Sequence, residues 1–483
     1  MWHDERLLIG GELVPAEGNR TYETFNPANG EPLGPAADAS VADARRAVVR
    51  AREAFDTTGW STDPALRALC LRQLRAKLVE SQEDLRALLI ADTGLPHMLT
   101  QGPGLDTPVE MVGWYADLLD KYEFTVDLGV AEARGGLHSR WVEKEPVGVV
   151  SAIVPYNYPV QITLAKLVPA LAAGCTVVVK GPPQTPWITA ALGRVVAETD
   201  IPPGVVSVLT SASREVGEVL VTDPLVDMVS FTGSTATGRH IMAAASDTVK
   251  KVFLELGGKS AFIVMDDAEM ELAAMFAGFT ICSHAGQGCA ITTRLLVPEA
   301  KLDRAVEQTA ATMAGVPVGD PADASNLMGP LISEDQRAKV DGHVKGAVAD
   351  GATVATGGNR PDTPGYFYEP TLLVGVDPDA AVAQEEVFGP VLVVLPYRDD
   401  DDAVAIANNS IFGLSGAVYG TDEARATAVA RRVRAGTISI NGGMYYGPDS
   451  PFGGYKQSGI GREMGVPGLE EYLELKTLAK PAG

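Results

Sequence analysis

Cysteine is scarce in this chain of 483 residues. Only Cys70, Cys175, Cys282 and Cys289 occur, irregularly spaced, with no CxxC pair and no histidine at zinc-site spacing. A disulfide scaffold and a structural zinc are excluded, and a reducing, cytoplasmic compartment suits the composition. Positive charge is also short: 39 Lys plus Arg face 62 Asp plus Glu, a formal net charge of −23, which argues against nucleic acid and anionic membrane surfaces as partners. No apolar run suggests a membrane span or a signal peptide. The opening MWHDERLLIG is charged, and the most apolar region, residues 147–179, is broken by Asn157, Lys166 and prolines. Common nucleotide-binding signatures are missing as well. No GxGxxG follows a strand, and Phe231-Thr232-Gly233-Ser234-Thr235-Ala236-Thr237-Gly238 runs on into Arg239-His240, without the Gly-Lys-Ser/Thr that ends a Walker loop.

What is present reads as a folded α/β protein. Hydrophobic residues make up 46% and charged residues 21%, near globular averages, and the length suits about three domains. Apolar residues at three- and four-residue spacing predict helices over 41–55, with Ser40 as N-cap, and over 66–90. From 147 the pattern becomes short apolar strands at 147–154, 176–180, 205–209, 226–231 and 250–254, with intervening helices such as 186–199. That alternation implies a doubly wound parallel sheet. A second α/β unit follows, with strands at 261–265, 293–297, 391–396, 414–419 and 436–440 and helices at 299–314, 335–350 and 421–434. Residues 123–145 fit neither unit and suggest a hairpin arm, and 471–477 alternates like a further strand. The acidic run Asp399 to Asp402 precedes a helix and complements its dipole.

With no metal motif and no nucleophile elbow, cysteine is the candidate nucleophile. Cys70, Cys175 and Cys282 sit in apolar patterns and read as core. Cys289 lies in Gly286-Gln287-Gly288-Cys289-Ala290, among small residues that let a substrate approach an exposed thiol. Upstream, Leu254-Glu255-Leu256-Gly257-Gly258-Lys259-Ser260 puts a carboxylate at a strand end. Pro155-Tyr156-Asn157-Tyr158-Pro159 puts an amide at the C-terminal end of the first strand, where open parallel sheets place their ligand crevice.

These motifs, over nearly the whole chain, resemble the aldehyde dehydrogenase superfamily, hydrolytic type. The resemblance implies two doubly wound α/β domains and a small β oligomerisation arm. A dinucleotide-binding domain is expected over 1–122 and 146–256, a catalytic domain over 257–457, and the arm over 123–145 and 470–483. It implies oxidation of a small-molecule aldehyde to the acid with NAD. Cys289 carries the thiohemiacetal and thioester, Asn157 and the Cys289 N–H stabilise the oxyanion, and Glu255 activates the deacylating water. Lys166 and Glu463 belong to a proton or water relay, although a structural, snorkelling Lys166 is equally consistent with the sequence. For the cofactor it implies Lys180 at the adenosine ribose, Gly233, Ser234 and Gly238 near the pyrophosphate, Leu256 beside them, and Glu386 and Phe388 at the nicotinamide ribose.

Three positions depart from the family. Pro183 stands where many NAD-preferring members have a ribose-binding glutamate, so like-charge repulsion against the 2′-phosphate of NADP is absent and NADP stays open beside NAD. Ser211 and Ser213 replace glycines, with Gly217 retained. His284 replaces an asparagine five residues before Cys289. That histidine keeps a Cys–His thiol hydrolase or acyltransferase as an alternative, and a non-catalytic binding protein on the same fold is a second. Tyr158 and Tyr445-Tyr446 suit the walls of a tunnel for an apolar or aromatic aldehyde, or equally a core. The arm and the 471–477 strand imply a homo-oligomer, dimer or tetramer.

Overall fold

The computed structural model describes residues 6–133 and 135–482; residues 1–5, 134 and 483, which fall inside the expected first domain and arm, lie outside the described residues. Its centre is an eight-stranded sheet in the order 459–460, 251–255, 228–232, 149–153, 176–180, 206–209, 7–9, 12–14. The five strands foreseen from the sequence pair in parallel, and their order reverses between Val149–Ile153 and Met228–Thr232. At such a switch point the loops leaving the strand ends diverge and open a crevice. Asn157 leaves one of these strands, and Gly233 and Ser234 leave the other.

Alternate residues of these strands face opposite cores. Val150, Ala152, Val177 and Val179 pack with the helices Pro64–Glu80, Asp106–Leu119 and Pro159–Ala173. Val149, Val178, Val229 and Phe231 pack with Val41–Thr57 on the other side. Burial on both faces is what a continuous apolar strand requires. The helix Val41–Thr57 starts as expected: the Ser40 hydroxyl accepts from the Asp43 N–H, while the Asp43 carboxylate accepts from the Ser40 N–H. The helix expected over 66–90 is two, Pro64–Glu80 and Gln82–Thr93, because Ser81 leaves helical geometry and caps the first. The N-terminal hairpin 7–14 and the two-residue edge strand Gly459–Ile460 carry too few residues to show a strand period, and both join this sheet antiparallel.

The second sheet runs 353–356, 371–374, 391–397, 292–298, 260–264, 415–419, 437–440, parallel except for the first strand. Thr353–Thr356 and Thr371–Val374 escape sequence reading because each is only four residues long. The predicted helix 421–434 is shorter, Glu423–Ala430, and Asp422 caps it. Asp399 caps the helix Asp400–Asn408, and Asp400, Asp401 and Asp402 of its first turn pair with Arg425, Arg432 and Arg398. Residues 125–133 and 136–146 form the expected hairpin, and the C-terminal strand Leu473–Pro481 adds to it as a three-stranded antiparallel sheet. No helix among the described residues is long and apolar enough to cross a membrane.

Candidate active site

The helix Met270–Cys282 ends in a turn in which His284, Ala285 and Gly286 all have positive φ, at 47°, 51° and 72°. Three left-handed residues in succession reverse the chain and deliver Cys289 to the start of the strand Thr292–Pro298. Gly286 cannot be larger, because a Cβ there would fall 2.1 Å from the Gly389 carbonyl oxygen. Gln287 locks the turn. Its Nε2 donates to the carbonyls of His284 (3.2 Å) and Pro330 (3.3 Å), its Oε1 accepts from the Ile332 N–H (2.9 Å), and its own carbonyl accepts from Asn157 Nδ2 (2.9 Å). One proton of the Asn157 amide is thus committed to the loop that carries Cys289, and the second is left for another acceptor.

Glu255 ends the strand Lys251–Glu255, and after Leu256 the pair Gly257-Gly258 passes through a space with no room for side chains. A Cβ on Gly257 would lie 2.5 Å from a Glu386 carboxylate oxygen, and one on Gly258 would lie 2.4 Å from the Cys289 carbonyl. Ser458 clamps this segment: its carbonyl accepts from the Leu256 N–H (2.9 Å) and its hydroxyl donates to the Gly257 carbonyl (2.6 Å). Glu255 is buried, and neither carboxylate oxygen has a partner. Burial first, and the nearby Glu463 second, push its pKa well above the carboxylate range, opposed by Lys166 and Arg462. Lys166 is fully buried in the helix Pro159–Ala173, 2.9 Å from Glu463 Oε1, with its ammonium 4.6 Å from the Phe253 ring centre. This is a buried ion pair beside Glu255, which decides against a lysine that snorkels to solvent.

Cys289 is half-buried, unlike the other three cysteines, which are buried. Burial, followed by the carboxylates of Glu255, Glu386 and Glu463, raises its thiol pKa, and the Ala290 N–H works the other way. Thiol and carboxyl are therefore both held towards their neutral forms. Cys289, Glu255, Asn157, Thr232, Tyr446 and Glu463 all open into one cavity of about 390 Å³.

Of the residues expected at a dinucleotide, Lys180, Gly233 and Ser234 stand at or just after the ends of the strands 176–180 and 228–232 that flank 149–153. Lys180 ends its strand, its Nζ bonded to the carbonyls of Gly181 (3.0 Å) and Ser211 (3.5 Å), and burial lowers its pKa to about 8 against the pull of Asp38. Ser234 caps the helix Thr235–Ala245 by accepting from the Thr237 N–H (3.2 Å). The Gly233 N–H is committed to the Glu255 carbonyl (3.0 Å), so the outward amides at this helix start are those of Thr235 and Ala236. Gly238 packs against Leu256, whose Cδ2 a Cβ would approach to 2.6 Å, so these two residues set how closely helix and strand approach. Glu386 accepts from the Gly258 N–H (3.0 Å) and its pKa is raised by burial. Phe388, at φ 56°, meets the Tyr156 ring edge-on at 6.0 Å.

The departures have local explanations. The Ser211 hydroxyl shares its one proton between Asp38 Oδ1 (2.8 Å) and the Ala39 carbonyl (2.9 Å), and Ser213 caps the helix Arg214–Thr222. His284 is fully buried, neither ring nitrogen has a hydrogen-bond partner, Cys289 included, and its ring lies edge-on to Tyr158 at 5.3 Å. Burial lowers its pKa to about 3, so it is neutral at physiological pH. The geometry of a Cys–His pair is absent.

Four contributors go unnoticed in the sequence: Gln287, Ser458, Arg462 and Thr232. Gln287 and Ser458 stand inside motifs whose other members draw attention. Arg462 spends Nη1 on the carbonyls of Gly454 and Gly461 while its charge bears on Glu255, and Thr232 has a buried hydroxyl without a partner.

Two outcomes follow from these environments. Alkylation of Cys289 by iodoacetamide, without substrate, is expected to keep accelerating through about pH 9, above the ordinary thiol range. A plateau below neutrality would mean a preformed thiolate. For His284, the unfolded chain binds a proton below about pH 6.5 that the folded chain refuses until near pH 3, so stability falls as pH drops through that window. Between pH 7.5 and 5.5 the unaltered chain should lose about 1.4 kcal/mol relative to His284→Asn in urea unfolding. Parallel losses in both proteins would exclude this linkage.

Comparison with known proteins agrees with this geometry. A family profile described as "Aldehyde dehydrogenase family" matches residues 13–478. The mitochondrial succinate-semialdehyde dehydrogenase of Rattus norvegicus is 39% identical over 474 residues, 97% of this chain and 89% of that protein. A crystal structure of betaine aldehyde dehydrogenase from Staphylococcus aureus in complex with NAD+ superposes with a TM-score of 0.96 at 37% identity, covering 99% of this chain and 94% of that one. Mycobacterium tuberculosis aldehyde dehydrogenase complexed with NAD+ superposes at 0.95 and 38% identity, covering 99% of both chains. With the motifs, the fold and the family profile in agreement over nearly its whole length, the chain belongs to the aldehyde dehydrogenase family.

Proposed function

We propose that the chain oxidises an aldehyde to its carboxylic acid with NAD+, with Cys289 as nucleophile, Asn157 as oxyanion donor and Glu255 as the base for hydrolysis. One observation carries the assignment: a half-buried thiol, an amide and an unpartnered carboxylate, brought by three separate loops, open into the same cavity. Cys289 gives its proton to water in the cavity, its Sγ bonds to the carbonyl carbon, and the carbonyl π pair moves to the oxygen, which becomes an oxyanion. The free proton of the Asn157 amide and the Cys289 N–H receive it, and such a donor contributes about 2.7–4 kcal/mol to the transition state.

The residues around the crevice fit a dinucleotide. Lys180 and the outward amides of Thr235 and Ala236 suit its anionic and ribose groups, Glu386 and Phe388 suit the nicotinamide ribose, and the orphaned Thr232 hydroxyl lies where a polar ligand group would satisfy it. When bound, the dinucleotide supplies the acceptor for the hydride that leaves the thiohemiacetal carbon. Gly233, Gly238 and Leu256 shape the site through the backbone. Glu255 first gives up its own proton by way of the buried Lys166–Glu463 charge pair; as the carboxylate it then takes a proton from water, which attacks the Cys289 thioester and releases the acid and the thiol. NAD is the cofactor we assign; with Pro183 in place of an acidic residue, NADP meets no charge repulsion there.

The division of labour proposed is dinucleotide binding by 1–122 and 146–256, catalysis by 257–457, and assembly by 123–145 and 470–483. The arm supports a homo-oligomer, dimer or tetramer. Its edge strand Thr125–Ala133 is unpaired on one side and shows Leu128 and Val130, and its other strands show Leu137 and Leu475. Four free cysteines suit the cytoplasm.

Glu255→Gln is expected to retain a burst of reduced nicotinamide while steady turnover falls by about 100-fold or more. Unimpaired turnover would remove Glu255 from thioester hydrolysis. Cys289→Ala should abolish burst and turnover together, and a surviving burst would reassign the nucleophile. In sedimentation at micromolar concentration the chain should run as a dimer or tetramer, and a monomer would refute the role of the arm.

A further inference from the structure

The cavity above Cys289 also limits the tail of the substrate. No lysine, arginine or histidine lines it among the described residues. Its charged groups are Glu255 and Glu463, both close enough to Cys289 to act on its thiol, and Glu463 already answers Lys166. Apart from the uncharged polar side chains of Asn157, Gln161, Thr232, Thr280, Thr292 and Ser439, the wall is apolar or aromatic, including Ile162, Phe276, Tyr419 and Met444.

A tail bearing a carboxylate would be stripped of water against this wall with no cation to receive it, in a protein of net charge −23. A quaternary ammonium tail fares little better. Its tyrosine and phenylalanine faces can meet such a cation, but the two carboxylates of the cavity both act at the thiol and Glu463 is already paired with Lys166, so the charge is left without a counter-ion.

The apolar wall continues outward. Phe276 is 41% exposed and Met444 87% exposed, so both stand at the mouth, and the Phe276 ring lies 5.9 Å from that of Tyr419. On the same helix Leu272, Met275, Phe276 and Phe279 are all exposed, at the spacing of one helical face. An apolar lip at the opening of an apolar cavity fits a hydrophobic body long enough to reach it.

Resting on the reading that Cys289 oxidises an aldehyde, we propose that the substrate is an uncharged aldehyde with an apolar alkyl or aryl body, held at its far end between Phe276, Tyr419 and Met444, and that aldehydes ending in a carboxylate are rejected.

The test is a set of kcat/KM values with NAD+ for octanal, phenylacetaldehyde, acetaldehyde, succinate semialdehyde and betaine aldehyde, on the unaltered chain and on Phe276→Arg. Octanal or phenylacetaldehyde should exceed succinate semialdehyde and betaine aldehyde by about 100-fold or more. Phe276→Arg places a cation at the lip, so the ratio of octanal to succinate semialdehyde should fall by about tenfold or more. If that variant does not fold, Met444→Arg at the exposed opposite side makes the same comparison. A charged aldehyde within about tenfold of octanal, or a ratio that the arginine leaves unmoved, overturns the substrate class while leaving the oxidation intact. No reduced nicotinamide from any of the five overturns the oxidation itself, and the substrate class with it.

Discussion

Everything in the site depends on how closely the backbone of Gly257-Gly258 passes between Glu386 and the Cys289 carbonyl. Here the chain leaves the first sheet at Glu255 and enters the second at Ser260 within a few residues. A side chain at 258 would press on the Cys289 backbone and one at 257 would displace the Glu386 carboxylate, because their oxygens already stand 2.4 Å and 2.5 Å from where a Cβ would be. The crossing brings a carboxylate from one sheet and a thiol from the other to a common cavity, while Gly453, packed against Glu255, and Ser458 close the opposite side. The catalytic arrangement is a consequence of this contact between sheets.

The electrostatic character follows from the same crowding. Three carboxylates, Glu255, Glu386 and Glu463, act on one thiol, while Lys166 is committed to Glu463 and the buried Lys259 acts on Glu386. With carboxylates crowding the thiol, Cys289 and Glu255 are both held towards their protonated forms. Asn157 is well suited to such surroundings, since a neutral amide stabilises an oxyanion without drawing a nearby carboxylate into a permanent pair.

Legibility varied with the length scale of the signal. The buried strands at 149–153, 176–180 and 228–232 announced themselves as unbroken apolar runs because both their faces are covered. The two-residue strand 459–460 and the short 353–356 had no period to show. Cys289 stood out because small residues flank it, whereas Gln287 gave no hint that its side chain ties three backbone segments together. Gly238, legible as part of a phosphate-binding segment, proves to be in packing contact with Leu256, a distinction that requires knowing which helix lies on which strand.

By itself the sequence determined the two α/β units and the hairpin arm and singled out Cys289, Glu255 and Asn157 as candidates, because each is written in local pattern or in residues whose chemistry admits few uses. Only the tertiary structure decided that Lys166 is paired with Glu463 and not stretched to solvent, that His284 is sealed against Tyr158 out of hydrogen-bonding reach of the thiol, and that no lysine, arginine or histidine among the described residues lines the cavity at Cys289. Those are facts about which distant segments meet, and burial and distance, which set the charge state of a side chain, arise only when the chain has closed on itself.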